Sequence, residues 1–201
     1  MLYRLAYWVY WPLFKLFYRI RFIGREHMPL KGPVVLVSNH ASYLDPICIG
    51  LASRRPISFM AKEELFRYPI LKQALPRLNT FPIRRGESDR QAIRSALKIL
   101  RENRVVGMFP QGTRVKNHDI SISQKGAALL ALKSGAVLLP VALKGTERVI
   151  PLGGRVPRFP RIEVIFGRPF KVIETPGKSR HQIIAEATER IISVITELLE
   201  T

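Results

Sequence analysis

Cysteine occurs once in 201 residues, acidic side chains number 15 against 33 Lys and Arg, and no apolar run approaches the roughly 20 residues of a spanning helix. The lone Cys48 excludes an intramolecular disulfide and any cysteine-built metal cluster, and it fits a reducing compartment. The histidines His27, His40, His118 and His181 are scattered without ligand spacing, which argues against a histidine-based metal hydrolase. No secretory cleavage pattern, internal repeat, low-complexity tract or linker to a second domain is visible. The shortage of acid leaves a net charge of +18, which points to an anionic partner: nucleic acid, an acidic membrane or a phosphorylated substrate. Nucleic-acid binding calls for aromatics interleaved with Arg and Lys, whereas here the aromatics crowd into the N-terminal segment, so no nucleic-acid partner is expected. With 47% apolar residues the chain can build the full core of one domain, which excludes disorder and collagen-like architectures.

Residues 1–24 carry most of the tyrosines and both tryptophans, Trp8 and Trp11, with no acidic residue before Glu26. The longest charge-free stretch, Leu5–Phe14, is too short to cross a bilayer. Stepped at ~100° per residue, Arg4, Lys15 and Arg19 fall within roughly 60°, with Trp8, Trp11 and Tyr18 beside them and Leu2, Leu5, Val9 and Leu13 elsewhere. That distribution suits a helix lying in a membrane interface, bent or divided into a pair at Pro12. The competing reading is a core-packing helix with a solvated basic edge. The expected organisation is a membrane-association segment at 1–24 and a single domain at 25–201, held peripherally, as a monotopic protein, on the cytoplasmic face of an anionic membrane.

From Val34 onward short apolar runs alternate with helical patterns, the signature of an α/β domain with a mostly parallel or mixed central sheet flanked by helices. Strands are expected at Val34–Val37, Ile57–Ala61, Thr80–Arg84, Val105–Phe109, Val137–Leu143 and Ile162–Phe166. Helices are expected at Asp89–Glu102, Gln124–Ser134 and Arg180–Leu199, the last with Ile184, Ala187, Ile191, Val194, Ile195 and Leu198 on one stripe. The Gly/Pro-rich stretch Pro151–Pro160 reads as a loop.

Chemistry first surfaces at Ser38-Asn39-His40-Ala41-Ser42-Tyr43-Leu44-Asp45-Pro46, where an imidazole follows a buried strand and a carboxylate precedes a helix. A turn of this length folds Asp45 back onto the Nδ1–H of His40, leaving Nε2 to take a proton from a hydroxyl. Asp45 before Pro46 also has the form of a helix N-cap with proline behind it, and one carboxylate has lone pairs enough for both tasks. Two further segments, Phe81-Pro82-Ile83-Arg84-Arg85-Gly86 and Phe109-Pro110-Gln111-Gly112-Thr113-Arg114, set a turn and guanidinium groups just beyond a strand. Glycine permits close backbone approach, threonine offers a hydroxyl and arginine grips phosphate with two parallel donors, so together they read as a phosphate anchor, or else as solvated arginines beside turns. Ser38, Ser42 and Cys48 are candidate nucleophiles for covalent catalysis, but none has a second base of its own.

These blocks resemble the glycerolipid acyltransferases of the 1-acylglycerol-3-phosphate acyltransferase (PlsC-like) type, over about Lys31 to Phe170. Asn39-His40 with Asp45 is similar to the family's NHx4D block, and Phe81–Arg85 to the block whose arginine maps to Arg85. Phe109–Arg114 looks like the FPEGTR block, and Leu139-Pro140-Val141 like the VPV block. Ala61-Lys62-Glu63-Glu64-Leu65 and Lys125-Gly126-Ala127 are similar to segments between them. Gln111 departs from the family's usual glutamate, which bears on acceptor binding.

The resemblance implies transfer of a fatty acyl group from acyl-CoA or acyl-carrier protein to the free hydroxyl of a lysophospholipid such as 1-acylglycerol-3-phosphate, giving phosphatidic acid. No metal or redox cofactor is implied. His40 would act as base and Asp45 as its orienter, with the acceptor held by Arg84, Arg85, Gln111, Gly112, Thr113, Arg114, Lys62 and Lys125. Backbone amides near the His40 turn are candidates for stabilising the thioester oxyanion. The alternatives are an acyltransferase-like lipid-binding protein with weak or no activity, to which Gln111 points, and an acyltransferase for another lysolipid.

Overall fold

The computed structural model of the chain describes residues 2–83, 90–109, 125–150 and 157–201. They form one α/β domain whose eight-stranded mixed sheet is flanked by helices, as the alternation of apolar runs and helical patterns predicts. The chain opens with α1 (Leu2–Tyr18), then β1 (Arg21–Ile23), β2 (Val34–Ser38), α2 (Asp45–Ala52) and β3 (Ile57–Lys62). Next come α3 (Pro69–Arg77), β4 (Phe81–Ile83), α4 (Arg90–Arg101), β5 (Val105–Met108), α5 (Lys125–Ser134) and β6 (Val137–Lys144). It ends with β7 (Glu163–Phe166), β8 (Phe170–Lys171) and α6 (Arg180–Glu200).

The sheet runs β1-β7-β6-β2-β5-β3-β4, with β8 pairing β6. The block β6-β2-β5-β3-β4 is parallel throughout, and β7 and β8 lie antiparallel to β6. Strand β2 sits inside this parallel block, and every one of its residues is buried, which is why its sequence is a continuous apolar run rather than an alternation. Its side chains still alternate between layers. Val34 and Leu36 join Phe14, Cys48 and Ile49 on the α1/α2 face, whereas Val35 and Val37 join Ala96, Leu100 and Ile191 on the α4/α5/α6 face.

Two short strands, β1 and β8, escaped the sequence reading because three and two residues carry no periodicity. On α6 the buried stripe is Ile183, Ala187, Ile191 and Ile195, an unbroken i, i+4 row displaced by one residue at its start from the expected Ile184. The helix begins at a capping box in which Ser179 and Gln182 satisfy each other's backbone amides, and this fixes its rotation.

Helix α1 packs on the core along one side and leaves the other side exposed. It runs through Pro12 without dividing into a pair, and Phe14 is buried while Tyr7, Trp11 and Tyr18 pack on the core. Trp11 and Tyr18 therefore face inward, not toward an interface. Arg19 lies beyond the last helical residue with a left-handed φ of 47°, so it does not belong to the helical basic sector. The outward side is apolar: Trp8, Val9, Leu13, Leu16 and Phe17 are all exposed, Leu16 by 73%. Among the described residues no helix is long and apolar enough to cross a membrane.

Candidate active site

The site is built where β2 ends. Asn39 is buried, and its side-chain amide donates to the Leu143 carbonyl at 2.9 Å and accepts from the Leu143 N–H at 2.8 Å. It thus imitates a peptide group and extends the β2–β6 pairing by one step beyond the last strand residue. That clamp fixes where the chain leaves the sheet, so the next side chain, His40, projects at the carboxyl edge of the parallel strands. This edge is where open α/β sheets place their ligands.

The His40 Nδ1–H donates to Asp45 Oδ2 at 2.8 Å, as the spacing predicts. The same oxygen accepts the Ala41 and Ser42 backbone amides at 2.7 and 2.8 Å. Three donors converging on one oxygen compensate a carboxylate whose side chain is 0% exposed. The N-cap expectation is corrected here. Leu44 occupies that position and Asp45 is the first helical residue, so its carboxylate turns back over the 41–42 turn instead of capping α2. A consequence follows for the Ala41 and Ser42 amides. Both are committed to Asp45, so neither is available as an oxyanion donor.

Two aromatic rings support the imidazole, a role sequence reasoning gave to neither. Phe109 stacks on His40 with centroids 4.3 Å apart and planes at 24°, and Phe59 stacks behind Phe109 at 5.6 Å and 9°. The β2–β5 register pairs Val37 with Met108, which sets Phe109 level with Ser38 and beside His40. The sequence showed Phe109 as the end of an expected strand and the start of the Phe109–Arg114 block; the register that makes it a neighbour of His40 is a long-range property. Gly107 makes room for the stack, since a Cβ there would lie 2.5 Å from the Phe59 ring and 2.8 Å from Ile57. Overpacking of this kind costs ~1–3 kcal/mol, and each kcal/mol lowers Tm by ~2–4 °C in a domain of this size. Gly107→Ala is therefore expected to lower Tm by about 2–12 °C and to weaken activity by displacing the rings behind His40. Thermal unfolding with a parallel rate measurement checks it; an unchanged Tm would show that the Phe59 ring yields without cost.

The candidate nucleophiles are poorly placed. Cys48 is buried in the α1/α2 layer, and burial, reinforced by the nearby Asp45 charge, pushes its thiol far above the ordinary range. Ser38 is buried beside Asn39, and Ser42 Oγ accepts the Leu44 amide at 3.3 Å. Of the expected acceptor-binding residues, Lys62 closes β3 and Lys125 opens α5, at the same sheet edge as His40, and neither makes an ion pair among the described residues. Arg84, Arg85, Gln111, Gly112, Thr113 and Arg114 lie outside the described residues, which stop at the carboxyl ends of β4 and just past β5. Among the described residues no three His, Cys, Asp or Glu gather as metal ligands.

An imidazole on a buried carboxylate at this sheet edge is a base held in one tautomer, and the family model for Acyltransferase matches residues 19–144, which contain all of it. The chain belongs to this acyltransferase family. Among the relatives of this family member, the chloroplastic 1-acyl-sn-glycerol-3-phosphate acyltransferase of Arabidopsis thaliana is 31% identical over 76% of this chain and 44% of its own. The 1-acyl-sn-glycerol-3-phosphate acyltransferase of Borreliella burgdorferi is 34% identical over 62% of this chain and 50% of its own. The chain spans about half the length of these two curated relatives. In three dimensions it is similar to the crystal structure of the 1-acyl-sn-glycerophosphate (LPA) acyltransferase PlsC from Thermotoga maritima, with a TM-score of 0.71 and 26% identity over 90% of this chain and 72% of that one.

Proposed function

We propose that this acyltransferase-family member is a 1-acylglycerol-3-phosphate O-acyltransferase, moving a fatty acyl group from a thioester to the free hydroxyl of lysophosphatidic acid. The observation that carries the proposal is the 2.8 Å contact from His40 Nδ1 to an Asp45 oxygen pinned by two turn amides. In the step, His40 Nε2 takes the acceptor hydroxyl proton as that oxygen attacks the thioester carbonyl, and Asp45 stabilises the resulting imidazolium. Collapse of the tetrahedral intermediate breaks the C–S bond, the imidazolium returns its proton to the leaving thiolate, and ester and free thiol depart. No acyl-enzyme is formed and no metal or redox cofactor enters the step. The anionic acceptor headgroup is assigned to Lys62 and Lys125, together with Arg84, Arg85 and Gln111–Arg114, which follow β4 and β5 in sequence. Acyl-CoA and acyl-carrier protein are both admissible donors. The test is free-thiol release from either thioester with lysophosphatidic acid, with phosphatidic acid identified by mass spectrometry; an inactive lipid-binding relative would release no thiol with any lysolipid tested.

The same reading sets the protein against an anionic membrane through the outward face of α1, where Trp8, Val9, Leu13, Leu16 and Phe17 are exposed and Lys15 lies over the Trp11 ring at 6.0 Å. An aromatic and aliphatic face edged by a cation is the composition of an interfacial helix. Fully burying a leucine is worth ~1.5–3 kcal/mol, so Leu13→Gln with Leu16→Gln is expected to weaken vesicle binding at least about tenfold. Both side chains are exposed, so the fold bears little of the change. Sedimentation with anionic vesicles checks it, and unchanged pelleting would locate the anchor on another surface.

A further inference from the structure

Helix α4 carries Arg90, Arg94, Lys98 and Arg101 and no acidic residue. At ~100° per residue these four lie within about 80° of one another, directly opposite the buried Ala92, Ala96 and Leu100, so they form a ridge pointing straight away from the core. The ridge is about 16 Å long at 1.5 Å per residue. Neighbouring members stand at i, i+4 or i, i+3, where like charges destabilise a helix. Lys98 and Arg101 gain from the negative end of the helix dipole, but Arg90 and Arg94 stand at its positive end, so helix stability does not account for them. On the same sheet face α6 and its approach balance their cations, with Lys178 on Glu186, Arg180 on Glu174 and Arg190 over the Phe170 ring. None of the four α4 cations has an ion-pair partner among the described residues.

The ridge also points toward the site. Strands β4 and β5 lie in one parallel block, so the helix joining them runs back against the strands, with Arg90 at the His40 edge and Arg101 at the opposite end. It is on the sheet face opposite α1, and no large apolar side chain of α4 is exposed. A flat membrane touching the apolar face of α1 therefore does not reach it. The ridge is straight and convex, which matches the side of an acidic helix better than a compact nucleotide phosphate cluster, for which a concave site is needed.

Resting on the acyl-transfer reading above, we infer that the α4 ridge is the docking surface for an acidic carrier protein that brings the acyl thioester. The carrier binds lengthwise along Arg90–Arg101 and its thioester arm reaches over the sheet edge at the Arg90 end to His40. Complementary charge at an exposed rim acts mainly on encounter and is screened by salt.

The experiment compares the full chain with the Arg94→Glu, Lys98→Glu double variant, whose exposed positions and relieved self-repulsion leave the fold intact by circular dichroism. Palmitoyl-acyl-carrier protein is titrated against each at low and high salt, and kcat/KM is measured for that thioester and for palmitoyl-CoA. The expected result is carrier binding by the wild type that weakens with salt, a tenfold or greater fall in both affinity and kcat/KM for the carrier thioester in the variant, and palmitoyl-CoA turnover within threefold. Absence of carrier binding by the wild type, equal binding by the variant, or a parallel loss for palmitoyl-CoA would overturn it. A variant that instead lost only its sedimentation with anionic vesicles would assign the ridge to a membrane and overturn it as well. Turnover of neither thioester with any lysolipid would sink the acyl-transfer reading, while the titration still decides the docking surface.

Discussion

His40→Ala is expected to lower kcat by about 10²–10⁴, the usual contribution of a positioned general base, with much smaller changes in KM for acceptor and donor. The asymmetry follows from the geometry. The imidazole is tied to Asp45 on one nitrogen and lies flat on Phe109, so under the proposed mechanism its work is to accept a proton in the transition state, not to hold a ground-state headgroup. Truncation leaves Ala41 and Ser42 still bonded to Asp45 Oδ2, so the turn keeps two of the three donors that shape it. Circular dichroism and thermal unfolding should therefore report a folded protein, and thiol release at saturating donor reads the loss. Wild-type turnover by this variant would remove His40 from the mechanism.

The His40–Asp45 pair was legible in the sequence because a five-residue separation is local: the strand end, the turn and the helix start are all signalled within nine residues, Ser38–Pro46. The central strands were legible for a related reason. A strand buried on both faces, such as Val34–Ser38, is written as an apolar run whatever its partners. What escaped depends on which distant segments become neighbours. Phe109 is a site residue only through the β2–β5 register, and Asn39 is a clamp only because the Leu143 backbone arrives beside it. The role of Gly107 needs Phe59 from a third strand. The helical wheel of α1 grouped Trp11 and Tyr18 with Trp8 and set Val9 and Leu13 apart, a division the structure does not keep, because the wheel alone does not say which side the core takes. The answer, Phe14, Trp11 and Tyr18 inward with Leu13 and Leu16 outward, depends on the α2 layer beneath.

Asp45 separates orientation from charge, and two substitutions there should behave differently. In Asp45→Asn the side-chain oxygen can still accept His40 Nδ1–H and the Ala41 and Ser42 amides, so the turn and the tautomer survive. The new NH₂ takes the place of Oδ1, which is buried with no partner among the described residues, so a modest loss of stability is expected as well. What disappears is the negative charge facing the imidazolium formed as His40 takes the proton. A hydrogen bond to a charged group is worth ~1.5–3 kcal/mol against about 1 kcal/mol for a neutral one, which places the fall in kcat at roughly twofold to thirtyfold with KM nearly unchanged. Asp45→Ala removes the acceptor altogether and strands three donors in a part-buried turn, each costing up to ~1–3 kcal/mol. Against a total stability of about 5–15 kcal/mol that is a large share, and at ~2–4 °C per kcal/mol Tm should fall by on the order of ten degrees or more. Measuring kcat and Tm for both variants distinguishes the two contributions. If Asp45→Asn keeps wild-type kcat, the charge does no catalytic work and Asp45 serves only to hold the turn that aims His40; if it loses as much as His40→Ala, the carboxylate and the imidazole act as one unit.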